Sequence, residues 1–129
     1  MPLIIISGKP CTGKTTFATL LVEYLKSRSN NQVNIELINE ESLKINKLDG
    51  YKSSSDEKNT RGLIKSATNH KLNSECYVIV DSLNYIKGYR YELYCAARTF
   101  RTPHCVVQVC CKLYSYHILK YYLMNLLYI

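Results

Sequence analysis

The stretch LIIISGKPCTGKTTF (residues 3–17) passes from an apolar run, through a glycine-rich turn, into an amphipathic segment. The run Leu3–Ser7 predicts a strand that is buried on both faces. From Gly8 to Thr15 the spacing is G-x-x-x-x-G-K-[ST], which is typical of a loop that binds nucleoside phosphates when it follows a strand and precedes a helix. A chance glycine-rich turn that carries a lysine is the alternative, and the flanking strand and helix patterns weigh against it.

The chemistry of such a loop explains its residues. Glycine permits backbone conformations that let successive N–H groups face the phosphates, and the N-terminus of the following helix adds partial positive charge. Lys14 would contact the β- and γ-phosphates, and the Thr15 hydroxyl would bind Mg²⁺. We therefore predict that a nucleotide and Mg²⁺ bind at this loop. The residues assigned to nucleotide binding, called here the phosphate-binding loop, are Gly8, Lys9, Pro10, Cys11, Thr12, Gly13, Lys14, Thr15 and Thr16.

The rest of the chain alternates predicted strands and helices. Apolar runs predict further strands over 33–39, 76–81 and 104–111, and helical spacing of apolar residues predicts helices over about 14–26, 56–72 and 89–101. In the second helix we expect Leu63, Ile64 and Ala67 to face inward. This order predicts an α/β, three-layer, parallel-sheet fold of the P-loop nucleoside-triphosphate hydrolase or kinase-like class, incomplete at its C-terminal side.

Two acidic positions follow predicted strands. Asp81 closes the third strand, where a carboxylate beside the phosphate-binding loop can hold Mg²⁺ together with Thr15; a helix-capping or turn aspartate is the alternative. Glu40 and Glu41 follow the second strand, and in parallel sheets ligands bind at the carboxyl ends of strands. Glu40 is therefore a candidate to orient a nucleophile, with a solvated acidic turn as an equal alternative. The catalytic candidates are Lys14, Asp81 and Glu40.

The composition is basic. The 129 residues include 17 Lys and Arg against 10 Asp and Glu, a net charge of +7, and the pI is about 9.1. A surplus of this size favours polyanionic partners such as nucleotides or RNA, and a merely soluble basic surface explains it equally well. In YIKGYRYELY (85–94) Lys87 and Arg90 alternate with tyrosines, and basic groups beside aromatic rings can contact RNA phosphates and bases. The alternative is that Tyr89 belongs to the helix core and the other tyrosines to its rim, and most cationic side chains on helices are only solvated. The RNA-binding candidates are Arg61, Lys65, Lys87 and Arg90.

The cysteines and the chain ends suggest a compartment. The six cysteines form no C-x-x-C pair, which favours buried free thiols in a reducing compartment and no structural metal. No signal peptide is apparent, so we expect a cytoplasmic location, with the nucleus as a second.

We divide the chain into a P-loop domain at 1–111 and a Tyr/Leu-rich tail at 112–129. The tail predicts a helix packed on the sheet rather than a membrane span, with an exposed adhesive end as the alternative.

Several phrases resemble a known family. They are MPLIIISGKPCTGKTT, NEESL, VIVDSLNYIKGYRYELYCAAR and TPHCVV. They resemble the killer-toxin-insensitivity family of Elongator-associated P-loop ATPases, which is itself similar to phosphoseryl-tRNA kinase. The resemblance implies an ATPase that binds tRNA and supports Elongator in the modification of wobble uridines. It implies ATP at the phosphate-binding loop and the metal at Asp81, and RGLIKS (61–66) matches the family's basic helix. Glu40 falls where the family has Asp, an exchange that keeps the charge but lengthens the side chain; if this carboxylate orients water, slow ATP hydrolysis is expected.

The end of the chain departs from that family. Its members continue past the fourth strand with another strand, a lid segment and a tRNA-binding domain, whereas from Gln108 onward we find no match. We therefore expect a truncated or alternatively spliced product, or a gene model that extends into non-coding sequence. Three functions stay open: a tRNA-dependent regulatory ATPase of Elongator, a kinase that acts on a small molecule or an aminoacyl-tRNA, and a non-catalytic nucleotide-binding fragment.

Overall fold

The computed structural model describes residues 2–73 and 75–110. The prediction of a helical tail over 112–129 lies outside these described residues. The elements, in chain order, are β1 (Leu3–Gly8), α1 (Lys14–Arg28), β2 (Asn34–Ile38), α2 (Lys47–Gly50), α3 (Ser54–Lys71), β3 (Cys76–Asp81), α4 (Lys87–Thr99) and β4 (His104–Val109).

The four described strands form one parallel sheet in the order β2-β3-β1-β4. Parallel neighbours need crossover connections, and the helices between the strands provide them. The register sets Ile6 beside Asp81 and Gly8 beside Val109. The predicted parallel α/β fold is therefore confirmed. The strand order decides the site, because it places the end of β3 next to the point where the chain enters the phosphate-binding loop.

Two hydrophobic cores lie on opposite faces of the sheet. Successive side chains of a strand point to opposite faces, so Ile4 and Ile6 pack with α1, whereas Leu3 and Ile5 pack with α3 and α4. Every residue of β1 is buried, as its apolar run predicts for a strand covered on both faces. The three layers that result hold the C-terminal ends of β1 and β3 at one edge of the sheet.

The three predicted helices are present and Ile64 is buried as expected, but the prediction for Leu63 was wrong. Leu63 is 55% exposed rather than buried, because α3 turns Thr60, Ile64 and Thr68 toward the sheet at a spacing of four residues. The short helix α2 was not predicted within its polar segment. The Asn46 side chain caps it by accepting a hydrogen bond from the Leu48 N–H.

The prediction of buried cysteines was right for Cys76 and wrong for the other described cysteines. Among the described cysteines Cys76 is buried, whereas Cys11, Cys95, Cys105 and Cys110 are exposed. Cys105 is exposed because β4 has a strand neighbour on one side only in the described part of the sheet. A search of the described helices for one long and apolar enough to cross a membrane finds none.

Candidate phosphate-binding site

The phosphate-binding loop depends on unusual backbone conformations. Cys11 and Gly13 both have positive φ angles, of 59° and 90°. Gly13 is the N-cap of α1, and its carbonyl accepts a hydrogen bond from the Phe17 N–H at 2.9 Å. No side chain caps α1, and its first turn contains no acidic residue. The first N–H groups of α1 are therefore available to an anion, with the helix dipole favouring negative charge there.

The loop lines a cavity of about 510 Å³. Lys14 Nζ donates to the carbonyl oxygen of Lys9 at 2.7 Å, so the ammonium is held over the loop. Burial lowers the pKa of Lys14, and the nearby Asp81 and Glu40 carboxylates act in the opposite direction. The structure therefore brings Lys14, Asp81 and Glu40 around one cavity. Its full lining is Pro10, Cys11, Gly13, Lys14, Thr15, Thr16, Glu40, Lys47, Tyr51, Asp81, Ser82 and Leu83.

Asp81 lies at the end of β3 and is 3% exposed. Burial raises its pKa, and the adjacent Thr15 hydroxyl opposes that shift. A carboxylate and a hydroxyl are hard oxygen donors that suit Mg²⁺, which keeps several waters and takes its other ligands from phosphates. The described residues contain no group of three or more His, Cys, Asp and Glu that could hold a metal. Asp81 and Thr15 thus fit a Mg²⁺ bound with a nucleotide.

Replacement of Asp81 by Asn is expected to stabilise the protein in the absence of ligand. The carboxyl faces Thr15, Glu40, Lys14 and Lys47, and its pKa lies above the ordinary value of 3.8. An acid whose pKa is raised by folding costs stability once the pH exceeds the folded pKa, and this cost disappears below the unfolded pKa. We expect the variant to melt about 3–5 °C higher at neutral pH, with a gain that shrinks as the pH falls toward 4.

Thermal melts from neutral to acidic pH measure this difference. The control is Asp49→Asn, which makes the same chemical change at an exposed position and should not shift the melting temperature. An Asp81→Asn gain that is absent at neutral pH, or that grows on acidification, would contradict the burial argument. The same variant is expected to bind Mg²⁺-nucleotide more weakly, because it removes a metal-binding carboxylate.

Glu40 is buried, with 4% of its surface exposed. Its Oε1 accepts hydrogen bonds from Tyr51 Oη at 2.5 Å and from Ser82 Oγ at 2.7 Å. The solvated acidic turn is therefore wrong for Glu40, although Glu41 is exposed. The sequence predictions missed Tyr51 and Ser82. Ser82 could have been found, because it directly follows Asp81 at the carboxyl end of β3. Tyr51 lies in a polar segment without a motif, so nothing in the sequence indicated its role.

The four RNA-binding candidates do not lie in one place. Arg61 and Lys65 line a groove of about 350 Å³ between α3 and α4, together with Lys58. There Arg61 pairs with Glu57 at 2.7 Å and Lys65 with Glu92 at 2.6 Å.

Arg90 lies elsewhere. It donates to the carbonyls of Asn84 and Tyr85, and it lines a separate cavity beside Lys9. Lys87 is exposed at the first residue of α4. The groove between α3 and α4 therefore holds two of the four candidates.

Because a glycine-rich loop, its lysine and a strand-end carboxylate meet at the carboxyl edge of this sheet, the chain falls in the class of P-loop nucleotide-binding proteins with a kinase-like α/β fold. The family model described as chromatin associated protein KTI12 matches residues 1–121. The chain belongs to the KTI12 family. The match extends past Gln108, so the departure predicted at that residue was placed too early.

Curated relatives agree with this assignment. The chain is 44% identical over 115 residues to protein kti12 of Schizosaccharomyces pombe, covering 84% of this chain and 41% of the relative. It is 45% identical over 107 residues to the KTI12 homolog of Danio rerio, covering 83% of this chain and 38% of that protein. The chain thus spans about two fifths of the length of these relatives.

Solved structures agree as well. The crystal structure of Chaetomium thermophilum Kti12 in complex with ADP-AlF3 superposes with a TM-score of 0.75 at 38% identity, covering 98% of this chain and 68% of that one. The Mycobacterium tuberculosis APS kinase CysC, in its Cys556Ala form, has a TM-score of 0.75 at 12% identity, covering 99% and 97%. The second likeness shows the fold alone.

Proposed function

We propose that the chain binds ATP with Mg²⁺ and is part of an Elongator-associated regulatory ATPase that supports tRNA wobble-uridine modification through tRNA-dependent ATP hydrolysis. The observation that carries the ATPase is the convergence of Lys14, Thr15, Asp81 and Glu40 on one cavity. The ADP-AlF3 bound to the Chaetomium protein supports the choice of nucleotide. Elongator and tRNA follow from the family resemblance.

Each residue of the cavity has a separate task in this proposal. Loop amides and the N-terminus of α1 hold the phosphates, and the Lys14 ammonium neutralises charge on the β- and γ-phosphates. Thr15 and Asp81 would hold Mg²⁺, which supplies positive charge to the phosphate oxygens when bound. Glu40 orients the attacking water. Lys47 also lines the cavity and places a second cation near the phosphates.

The groove between α3 and α4 supports a role for tRNA. Lys58, Arg61 and Lys65 line it, on the helix that matches the family's basic phrase. Phosphate contacts by such side chains give salt-dependent affinity for RNA. Glu92 already pairs with Lys65 at the exposed surface, whereas the pair between Glu57 and Arg61 is partly buried. An exposed ion pair contributes little free energy, so an RNA phosphate can replace Glu92 as the partner of Lys65.

A kinase is the second candidate. Glu40 is buried in a pocket rather than solvated, and a carboxylate held beside the phosphate-binding loop can accept a proton from an acceptor hydroxyl as readily as from water. Under this alternative a hydroxyl of a small molecule or an aminoacyl-tRNA occupies the position of the attacking water. The two candidates share every phosphate contact and differ in what receives the phosphoryl group.

One experiment separates these functions. The full 129-residue chain is incubated with ATP labelled at the γ-phosphate, with Mg²⁺, and with or without total tRNA. Phosphate release that tRNA stimulates supports the regulatory ATPase. Label on an acceptor supports the kinase. Nucleotide binding without turnover under either condition supports the non-catalytic fragment, which the short coverage of the relatives makes a real outcome.

Neutralisation of the groove is expected to weaken the tRNA response. The double variant Arg61→Gln, Lys65→Gln removes two cations that can contact phosphates, and we expect about a tenfold loss of tRNA affinity at moderate salt with unchanged ATP affinity. Filter binding at two salt concentrations measures it. The control is Lys26→Gln, Arg28→Gln in the last turn of α1, which removes the same charge at another exposed surface. Equal losses in both double variants would indicate net charge rather than a site.

A further inference from the structure

Three segments of the chain meet at Glu40 Oε1. Tyr51, which is the C-cap of α2, donates its hydroxyl proton to this oxygen, and so does Ser82, the residue after β3. The two hydroxyl oxygens lie 3.1 Å apart. Each hydroxyl has a single proton. When both protons are donated to Oε1, Tyr51 and Ser82 therefore form no hydrogen bond with each other. We call this arrangement the Glu40 clamp; it consists of Tyr51, Ser82 and the Glu40 carboxylate.

The clamp leaves the second carboxylate oxygen facing the cavity. In the described part of the chain no donor reaches Oε2 of Glu40 within hydrogen-bond distance. The buried side-chain polar atoms that lack a partner there belong to Asn69 and Asn84. Glu40 lines the cavity of the phosphate-binding loop and retains a small exposed area. That area therefore includes Oε2, which is free to accept a proton or a hydrogen bond from a molecule in the cavity.

Tyr51 is suited to a fixed donor role. Its partial burial and the Glu40 carboxylate raise the pKa of its phenol well above the ordinary value, so the hydroxyl stays protonated across the physiological range. A hydrogen bond from a neutral hydroxyl to a carboxylate is charge-assisted and stronger than one between two neutral groups, and Tyr51 donates such a bond to Glu40. Ser82 is buried, with 7% of its surface exposed. Both donors therefore restrain the carboxylate without neutralising it.

We propose that Tyr51 and Ser82 are positioning residues, which fix Glu40 so that Oε2 orients the nucleophile during transfer of the γ-phosphoryl group. This inference rests on the proposed ATPase. In the step, the water oxygen forms a bond to the γ-phosphorus while its proton passes to Oε2. The bond from the γ-phosphorus to the bridging oxygen breaks, and its electron pair leaves with ADP. ADP and inorganic phosphate are the products, and Glu40 returns its proton to solvent.

A purely structural role for the clamp predicts something different. If the hydroxyls only tie α2 and β3 to the end of β2, their removal should lower stability and should affect all ligands of the cavity alike. If they position Oε2, their removal should affect a ligand that resembles the transferring phosphoryl group more than it affects ADP. The comparison of ADP with ADP plus aluminium fluoride separates the two roles, and it does not require turnover.

The experiment measures the affinities of the full chain for both ligands in Mg²⁺ by calorimetry. Tyr51→Phe keeps the ring and loses the hydroxyl. We expect its ADP affinity to stay within about twofold and its affinity for ADP with aluminium fluoride to fall about tenfold, with a similar loss of ATP turnover. Ser82→Ala should behave alike, and Glu40→Gln should lose about 100-fold on the second ligand. Adding Tyr51→Phe to Glu40→Gln should cause no further loss.

The matched control is Tyr89→Phe. Tyr89 is also buried, and its hydroxyl donates to the Arg61 carbonyl at 3.1 Å, outside the cavity. It should change neither affinity. Equal weakening of both ligands by Tyr51→Phe, a loss that adds to that of Glu40→Gln, or no weakening by the clamp variants would overturn the positioning role. Failure of the unmodified chain to bind ADP would instead overturn the proposed function, and the clamp with it.

Discussion

Replacement of Lys14 by Ala is expected to weaken ATP binding by about 100-fold, which corresponds to about 2.7 kcal/mol. The ammonium lies over the loop, where its Nζ donates to the Lys9 carbonyl, and it lines the cavity. Burial lowers the pKa of Lys14, which means that the surroundings solvate the charge incompletely. A phosphate anion supplies the missing partner, and charge-assisted hydrogen bonds of this kind are strong. Calorimetric titration with a non-hydrolysable ATP analogue measures the loss.

A second lysine in the same helix provides the control for this prediction. Lys26 is exposed in the last turn of α1, so Lys26→Ala removes the same charge without touching the cavity. Its ATP affinity should stay within about twofold of the unmodified chain at physiological salt, where distant surface charges are screened. If Lys14→Ala bound ATP as well as Lys26→Ala does, the assignment of the phosphate-binding loop would be wrong.

Replacement of Gly8 by Ala is expected to destabilise the fold by about 2–4 kcal/mol and to abolish ATP binding. A Cβ atom at Gly8 would lie 2.5 Å from the Val109 carbonyl oxygen and 3.1 Å from Thr12 Oγ1. The first neighbour is backbone of β4, which pairs with β1 at this residue, so it cannot yield without disturbing the sheet. The φ angle of 157° is also unfavourable for a side chain. Urea unfolding and nucleotide titration measure the two effects.

Gly62 offers a control with the opposite sign. It lies inside α3, and a Cβ atom there would meet no heavy atom within 4 Å. Alanine is the better helix former by about 0.5–1 kcal/mol, so Gly62→Ala should raise stability slightly and leave ATP binding unchanged. A Gly8→Ala variant as stable as Gly62→Ala would show that the loop and β4 separate more easily than their packing indicates.

Much of the fold could be predicted because its signals are local. The run at β1 and the run at β3 are unbroken and apolar, as strands buried on both faces require. The phosphate-binding loop is a motif whose spacing follows from backbone chemistry, and its context of strand and helix is present in adjacent sequence. The prediction failed where the local signal was weak, as at α2, which consists of four residues in a polar segment.

Exposure was harder to predict than element type. Leu63 is apolar but exposed. The rotation of α3 about its axis sets which of its residues face the sheet, and this rotation depends on packing against β2 and β3. Cys105 belongs to an apolar strand, but its exposure depends on whether another strand or helix covers β4. The residues within a few positions of Leu63 or Cys105 therefore do not determine whether either side chain is buried.

The amino-acid sequence by itself determined the alternating elements, the loop that faces an anion and the family, because these depend on periodicity and spacing within short segments. The tertiary structure decided between the alternatives that the sequence left open for the two acidic groups, and it alone showed the partners of Glu40. The placement of β3 between β2 and β1 brings Asp81 beside Ile6, and it joins Glu40 to Ser82 across 42 residues of chain. Such contacts arise from the packing of distant segments on a shared sheet, which no local pattern records.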